Sequence, residues 1–136
     1  PRLVTTGKPV ETGTSGAISL IGTLATIAGA FLIGITALFV LPFIVFAGES
    51  KFTASFIVLI AVVAGLAASV TDSVLGAMIQ AKYYCNRCRK ETERHIHSCG
   101  ARTKLVRGFP FFDNDAVNLA SSMLGAVVAT ALYLWL

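Results

Sequence analysis

The sequence predicts an all-α fold, a polytopic bundle of about three transmembrane helices with a metal-binding polar loop at one membrane surface. Three observations carry this. First, 55% of the 136 residues are hydrophobic and only 13% are charged, whereas soluble domains carry about 25% charged residues. Second, no charged residue stands between Glu11 and Glu49, between Lys51 and Asp72, or after Asp115. A bilayer-crossing helix needs roughly 20 mostly apolar residues, and each run supplies them. Third, the basic residues Lys82, Arg87, Arg89, Lys90, Arg94, Arg102, Lys104 and Arg107 are gathered in one segment, which marks a cytoplasmic loop.

The first span is predicted over 17–46. It is too long for a secretory signal and lacks a short apolar core with a cleavage pattern. Pro42 is expected to kink it, because proline removes an internal hydrogen bond. A short loop, Gly48 to Lys51, leads to the second span, predicted over 53–81, with helical pattern continuing to Tyr84. A helix from 53 to 84 would be about 48 Å long, so it must tilt, break or emerge from the membrane. A polar loop over 82–112 follows, then a third span over 115–136, with Asp113 or Asn114 placed to cap it. Arg2 and Lys8 precede the first span, so the N-terminus and the basic loop face the cytoplasm, and the short loop and C-terminus face outward. Gly65, Ser69, Ser73, Ala77 and Ala81, and likewise Ser121, Gly125 and Ala129, form small-residue stripes that let membrane helices approach closely. The chain reads as one membrane domain over 1–136, with no internal repeat. It starts at Pro1 without an initiator Met, so it is expected to be a piece of a longer chain with further helices upstream.

Polar residues form three clusters. Asp72 lies in the interruption Ser69-Val70-Thr71-Asp72-Ser73 of an apolar span. An acid at that depth costs about 2.5–3.5 kcal/mol to insert, which makes it a functional candidate; a structural Asp capping a broken helix is the bland alternative. Counting back from Lys82, it sits about 15 Å from the basic loop. Asp115, Asn118 and Ser122 share one helix face through spacings of three and four. Asp113 and Asn114 beside them are explained equally well as caps. Hard oxygen ligands from two helices suit Mg²⁺, and Asp72 and Asp115 are the natural pair. The third cluster, Thr5 to Gly16, joins glycines and hydroxyls to one cation, Lys8, just before a helix. Backbone N–H groups there can hold phosphate. It is no Walker A loop, because the Gly-Lys-Ser/Thr spacing is absent, and such a stretch is often only a loop. All three clusters face one membrane surface.

Cys85-x2-Cys88, followed by His95, His97 and Cys99, matches a closed tetrahedral zinc site. The predicted ligands are Cys85, Cys88, His97 and Cys99, with His95 as the alternative histidine, a choice that spacing does not settle. Four protein ligands leave no position for water, so the zinc is read as structural. A disulfide is disfavoured on the cytoplasmic side. Palmitoylation of Cys85 or Cys88 is the chief competing use.

The stretches PRLVTTGKPVETGTSGAISLIGTLA, VTDSVLGAMIQAKYYCNRC with HSCG, and NDAVNLASSMLGA span nearly the whole chain. In this order they resemble the integral-membrane family that contains plant phytyl-phosphate kinase and animal transmembrane protein nineteen. The resemblance implies Mg²⁺-assisted phosphoryl transfer from a nucleoside triphosphate, CTP in related polyprenol kinases, to an isoprenoid monophosphate of phytyl or geranylgeranyl type. The product would be the prenyl diphosphate. It implies that Lys8, Asp72 and Asp115 are catalytic, that Glu11, Thr14, Ser15, Gly16, Asn114 and Asn118 bind substrate or nucleotide, and that Asp72 and Asp115 hold magnesium. The family pattern also includes an upstream segment with Asp-Thr-Trp and Ser-Glu, and this chain begins just beyond it. The implied partners are the triphosphate, the prenyl phosphate lipid and the membrane, with a homo-oligomer or upstream helices completing the bundle.

Three other functions compete. A lipid-phosphate cytidylyltransferase would release pyrophosphate instead of nucleoside diphosphate. An ion-coupled transporter fits Asp72 in a broken span, but Leu38 to Phe46 and Phe56 to Val63 supply no polar path through the outer half. A structural protein explains the cysteines and leaves Asp72 and Asp115 idle. Nucleic-acid binding is not expected, because the basic residues sit in one juxtamembrane loop without a recognised binding fold.

Overall fold

A computed structural model of the protein describes residues 1–44 and 54–135. The Gly48 to Lys51 loop, the predicted span boundaries at Phe46 and Thr53, and Leu136 lie outside the described residues.

Three helices carry the apolar runs: α1 (Leu20–Ile44), α2 (Ala54–Met78) and α3 (Asn114–Trp135). They hold 25, 25 and 22 residues. At about 1.5 Å per residue each exceeds the roughly 30 Å of bilayer hydrocarbon. Between 6% and 11% of each apolar window is buried within the protein. Leu20, Ile21, Phe31 and Leu32 are among the large side chains left exposed. Faces this apolar and uncovered belong in lipid, and the protein is a multi-pass membrane protein.

Among the described residues five short strands accompany the helices: β1 (Arg2–Leu3), β2 (Ala17–Ile18), β3 (Lys82–Cys85), β4 (Lys90–Thr92) and β5 (Lys104–Arg107). They form an antiparallel β1-β2 pair and a three-stranded antiparallel sheet in the order β4-β3-β5. The all-α expectation therefore describes the spans alone, because the polar loop folds as a sheet. Two boundaries are corrected with it. Residues 17 and 18 are strand, since Ala17 pairs with Leu3 and Ile18 with Arg2. Helix α1 then starts at Leu20, where Ser19 Oγ accepts the Gly22 N–H at 3.1 Å and acts as N-cap. Helix α2 stops at Met78, short of 81 or 84. The N–H groups of Ile79 and Gln80 both donate to Leu75 O, at 2.9 and 3.2 Å, as the helix unwinds. Tyr83 and Tyr84 then favour the pleated sheet, where aromatic side chains pack well. Asp113, and not Asn114, caps α3, accepting the Ala116 N–H at 3.0 Å.

Packing divides the chain into two compact units. One comprises Pro1–Ile18 and Asp72–Ser121, the other Ser19–Thr71 and Ser122–Leu136. In the second unit the small residues act as helix-packing surfaces. A Cβ on Gly65 would lie 2.8 Å from Ala30 Cβ, and one on Gly125 3.0 Å from Ala68 Cβ. Thr26 and Ser69 hydroxyls meet there at 3.3 Å. The first unit holds both sheets, and its core is Ala77, Ala81, Tyr83, Cys85 and Val117. Every residue expected to catalyse, to bind substrate or to hold a metal belongs to this first unit.

Candidate active site

The segment 1–18 folds back on itself before α1. Leu3 N–H donates to Lys8 O at 2.9 Å and Val4 N–H to Gly16 O at 3.0 Å, and Arg2 bridges Pro9. This brings Ser15 and Gly16 onto the last turn of α2. Ser15 Oγ donates to the Gln80 Oε1 and lies 3.3 Å from Gly76 O. Gly16 has a φ of +80°, and a Cβ there would stand 2.5 Å from both the Cβ and the N of Ala77. Only glycine allows both the left-handed backbone and this approach. Gly76 reciprocates, since a Cβ on it would meet Ser15 Oγ at 2.8 Å.

Asp72, Gly76 and Gln80 recur every four residues and so share one face of α2 and its last turn. Asp72 is half-buried, and the Ser121 hydroxyl of α3 reaches its Oδ1 at 3.5 Å. That hydroxyl also donates to Asn118 O at 3.0 Å. The glycine loop thus docks about 6 Å along α2 from Asp72, and α3 meets the same face at Asp72 itself.

The other predicted residues are placed as follows. Lys8 and Glu11 are exposed in the folded segment, and Asn114, Asp115 and Asn118 are exposed on the first turns of α3. Asp115 stands six residues before Ser121, about 9 Å along the helix. Thr14 Oγ1 donates to Glu11 O at 2.8 Å. The Thr14 and Ser15 hydroxyl protons, expected to face phosphate, are therefore used to shape and dock the loop.

The cysteine loop converges on one point. Cys85 ends β3, Cys88 follows in the turn, and His97 to Gly100 form a second turn closed by Gly100 N–H to His97 O at 2.9 Å. One ligand atom from each of Cys85, Cys88, His97 and Cys99 lies within 4.8 Å of the others. Cys85 and Cys99 sulfurs are 3.7 Å apart, and His97 Nδ1 is 3.2 Å from Cys99 Sγ. Sulfurs at two corners of a tetrahedron with metal–sulfur bonds of about 2.3 Å are about 3.8 Å apart, so the spacing is that of a metal site. All three cysteines are free. His95 is committed elsewhere: its ring packs 4.4 Å from the Tyr83 ring and its Nε2 lies 3.3 Å from the Tyr83 hydroxyl. The Ala101 backbone N–H, then hydrogen bonds from Cys88 and His97, hold Cys99 down at about 6. Cys88 is pushed up to about 11, first by its hydrogen bond with the Cys99 sulfur. Cys99 is thus held towards the thiolate, and Cys88 towards the thiol that hydrogen-bonds to it.

The model of the integral membrane protein family DUF92 matches residues 1–126. The chain belongs to the DUF92 family. Protein PGR of Arabidopsis thaliana is 34% identical over 134 residues, covering 91% of this chain and 42% of that protein. An uncharacterized membrane protein of Methanocaldococcus jannaschii is 32% identical over 133 residues, covering 98% of this chain and 40% of that protein. The chain thus spans about two fifths of the length of these curated relatives. No solved structure matches it.

In this DUF92 chain the residue that sequence reasoning misses is Gln80. It is only 2% exposed, its Oε1 anchors Ser15, and its Nε2 has no partner among the described residues. The available signal is its place eight residues after Asp72, on the Asp72 face. Lys82 and Arg107 mark topology in the sequence, yet in the sheet they are cross-strand neighbours.

Proposed function

We propose that the protein is a prenyl-phosphate kinase, moving the terminal phosphoryl group of a nucleoside triphosphate, CTP by resemblance, to an isoprenoid monophosphate. One observation carries this reading: the glycine loop and the intramembrane Asp72 lie a turn apart on a single α2 face, where Ser121 of α3 reaches Asp72. The family resemblance supports the same chemistry. In the transfer an oxygen of the prenyl monophosphate forms a bond to the γ-phosphorus, and the bond to the β,γ-bridging oxygen breaks. Nucleoside diphosphate leaves, and the lipid becomes a prenyl diphosphate. The attacking oxygen is already ionised, so no strong base is required, and positioning and charge neutralisation suffice.

Magnesium bound with the donor would neutralise charge developing on the transferred group. Asp115 stands about 9 Å along α3 from Ser121, the residue whose hydroxyl reaches Asp72. One carboxylate would ligate the ion directly and the other would act through water or phosphate oxygens, the arrangement Mg²⁺ prefers. Lys8, Glu11, Asn114 and Asn118 are exposed in the same unit and would receive substrate groups. The four-ligand cysteine loop suits structural zinc, because it leaves no open position. The basic residues of the loop and N-terminus support a cytoplasmic position for this surface by the positive-inside rule.

The test uses purified full-length protein in nanodiscs with Mg²⁺, CTP and phytyl or geranylgeranyl monophosphate, with lipids and nucleotides read by mass spectrometry. Prenyl diphosphate and CDP are expected in equal amounts, and both should vanish with Asp72→Asn and with Asp115→Asn. No turnover with any triphosphate, from a folded and zinc-loaded sample, would reject the kinase.

A further inference from the structure

An open cleft of about 420 Å³ lies in the first unit, lined by Gly13, Thr14, Lys82, Glu91, Thr92, Glu93, Arg94 and Arg107. Its volume is within the range of small-molecule sites, but its lining contains no apolar side chain other than the threonine methyls. This charged lining suits a polar anion better than a prenyl chain.

The charges are arranged as for an anion. Lys82 and Arg107 are register partners on β3 and β5, and like charges directly opposite destabilise a sheet. Lys82 is buried and its charge is answered by Glu93, Nζ to Oε1 at 2.6 Å. Among the described residues Arg107 has only a neutral partner, donating from Nη2 to Gly76 O at 3.3 Å. A guanidinium has five N–H donors, so most of this fork remains for a ligand. Arg94 has no ion-pair partner among the described residues. With Lys82 and Glu93 cancelling, two arginines face Glu91, and the cleft is net positive. Thr14 has given its hydroxyl proton and N–H to Glu11 O. The strong donors left in the cleft are therefore the two guanidinium groups, which suit phosphate oxygens geometrically.

We propose that this cleft seats the triphosphate of the nucleotide donor, with Arg94 and Arg107 as its phosphate ligands. The proposal rests on the kinase reading and assigns the donor subsite within it. It also gives the cysteine loop a function. β3 carries a metal ligand, Cys85, at one end and Lys82 at the other, so the sheet held by the metal loop is one wall of the nucleotide site.

Full-length protein in nanodiscs is tested for equilibrium binding of CTP, inorganic tripolyphosphate and phytyl monophosphate, each with Mg²⁺. Wild type is compared with Arg94→Gln, Arg107→Gln, the double variant and Arg107→Lys. Zinc content and thermal midpoint serve as folding controls. Each Arg→Gln change should weaken CTP and tripolyphosphate about tenfold or more, since charge-assisted phosphate contacts are the strong ones. Phytyl monophosphate should stay within about twofold, and Arg107→Lys should recover part of the loss. Unchanged CTP affinity in the folded double variant overturns the proposal, as does an equal loss for phytyl monophosphate. Absence of any CTP or tripolyphosphate binding by wild type overturns it too. Arginine-dependent triphosphate binding without phosphoryl transfer would reject the kinase and keep the cleft. Phosphoryl transfer with an unaltered KM for CTP in the double variant would do the reverse.

Discussion

Gly16→Ala is the sharpest probe of whether the glycine loop builds the active site. The new Cβ would stand 2.5 Å from Ala77 Cβ and N and 2.6 Å from its Cα. Carbon atoms rest about 3.5–4.0 Å apart, so the loop must retreat by about 1 Å. Alanine in the left-handed region adds about 1–2 kcal/mol, and overpacking typically adds about 1–3 kcal/mol. The attachments that resist retreat are weaker, being the Ser15 contacts to Gln80 and Gly76 and the Val4–Gly16 bond, each worth about 1 kcal/mol net. The loop should therefore lift off α2 while the helices remain. A misplacement of about 1 Å can cost about 10²-fold in rate. The assay is prenyl diphosphate formation, with Gly7→Ala as control. Gly7 also has a positive φ, +67°, but a Cβ added there would meet nothing within 4 Å, so that variant carries backbone strain alone. The Gly16→Ala variant should lose about a hundredfold in kcat with zinc content intact. Adding Ala77→Gly should rescue little, because the clashes with backbone N and Cα persist. Turnover in Gly16→Ala equal to that of Gly7→Ala would refute the reasoning.

Other outcomes follow from the same geometry. Gln80→Leu should change stability by no more than about 1–2 kcal/mol, because it loses one hydrogen bond but also removes an unpartnered buried N–H; activity should nonetheless fall steeply, and calorimetry beside turnover separates the two. His97→Gln should lower bound zinc, measured by elemental analysis, whereas His95→Gln should keep it. In metal-stripped protein, iodoacetamide should label Cys99 with a midpoint near its value of about 6, the rate rising with pH, and Cys88 only after it, near about 11; mass spectrometry of the two labelled peptides reads the order. Gly65→Leu should disrupt α1–α2 packing and lower the thermal midpoint, since even a Cβ would meet Ala30 Cβ at 2.8 Å.

Much of this is legible in the sequence, for physical reasons. The spans are readable because charge is costly in a bilayer, and the runs before Glu49, before Asp72 and after Asp115 have none. The cysteine cluster is readable because metal ligands need close spacing. The choice of His97 is not, because the deciding contact, Tyr83 with His95, depends on where β3 runs. The end of α2 escapes sequence reading for a related reason. Lys82–Cys85 leaves the helix to pair with β4, which follows it closely as a hairpin arm, and with β5, which comes from beyond the cysteine loop. The role of the loop hydroxyls is hidden as well, since composition shows that Thr14 and Ser15 can bond phosphate but not that Glu11 and Gln80 already take their protons.

The fate of the γ-phosphorus tests the proposed chemistry most directly. Full-length protein in nanodiscs would be given Mg²⁺, CTP labelled with ³²P in the γ position, and geranylgeranyl or phytyl monophosphate. Label appearing in the lipid as a prenyl diphosphate, with unlabelled CDP released and no transfer by Asp72→Asn, is the predicted result. Label released as pyrophosphate, with a CMP-linked lipid formed, would contradict it and make the protein a cytidylyltransferase.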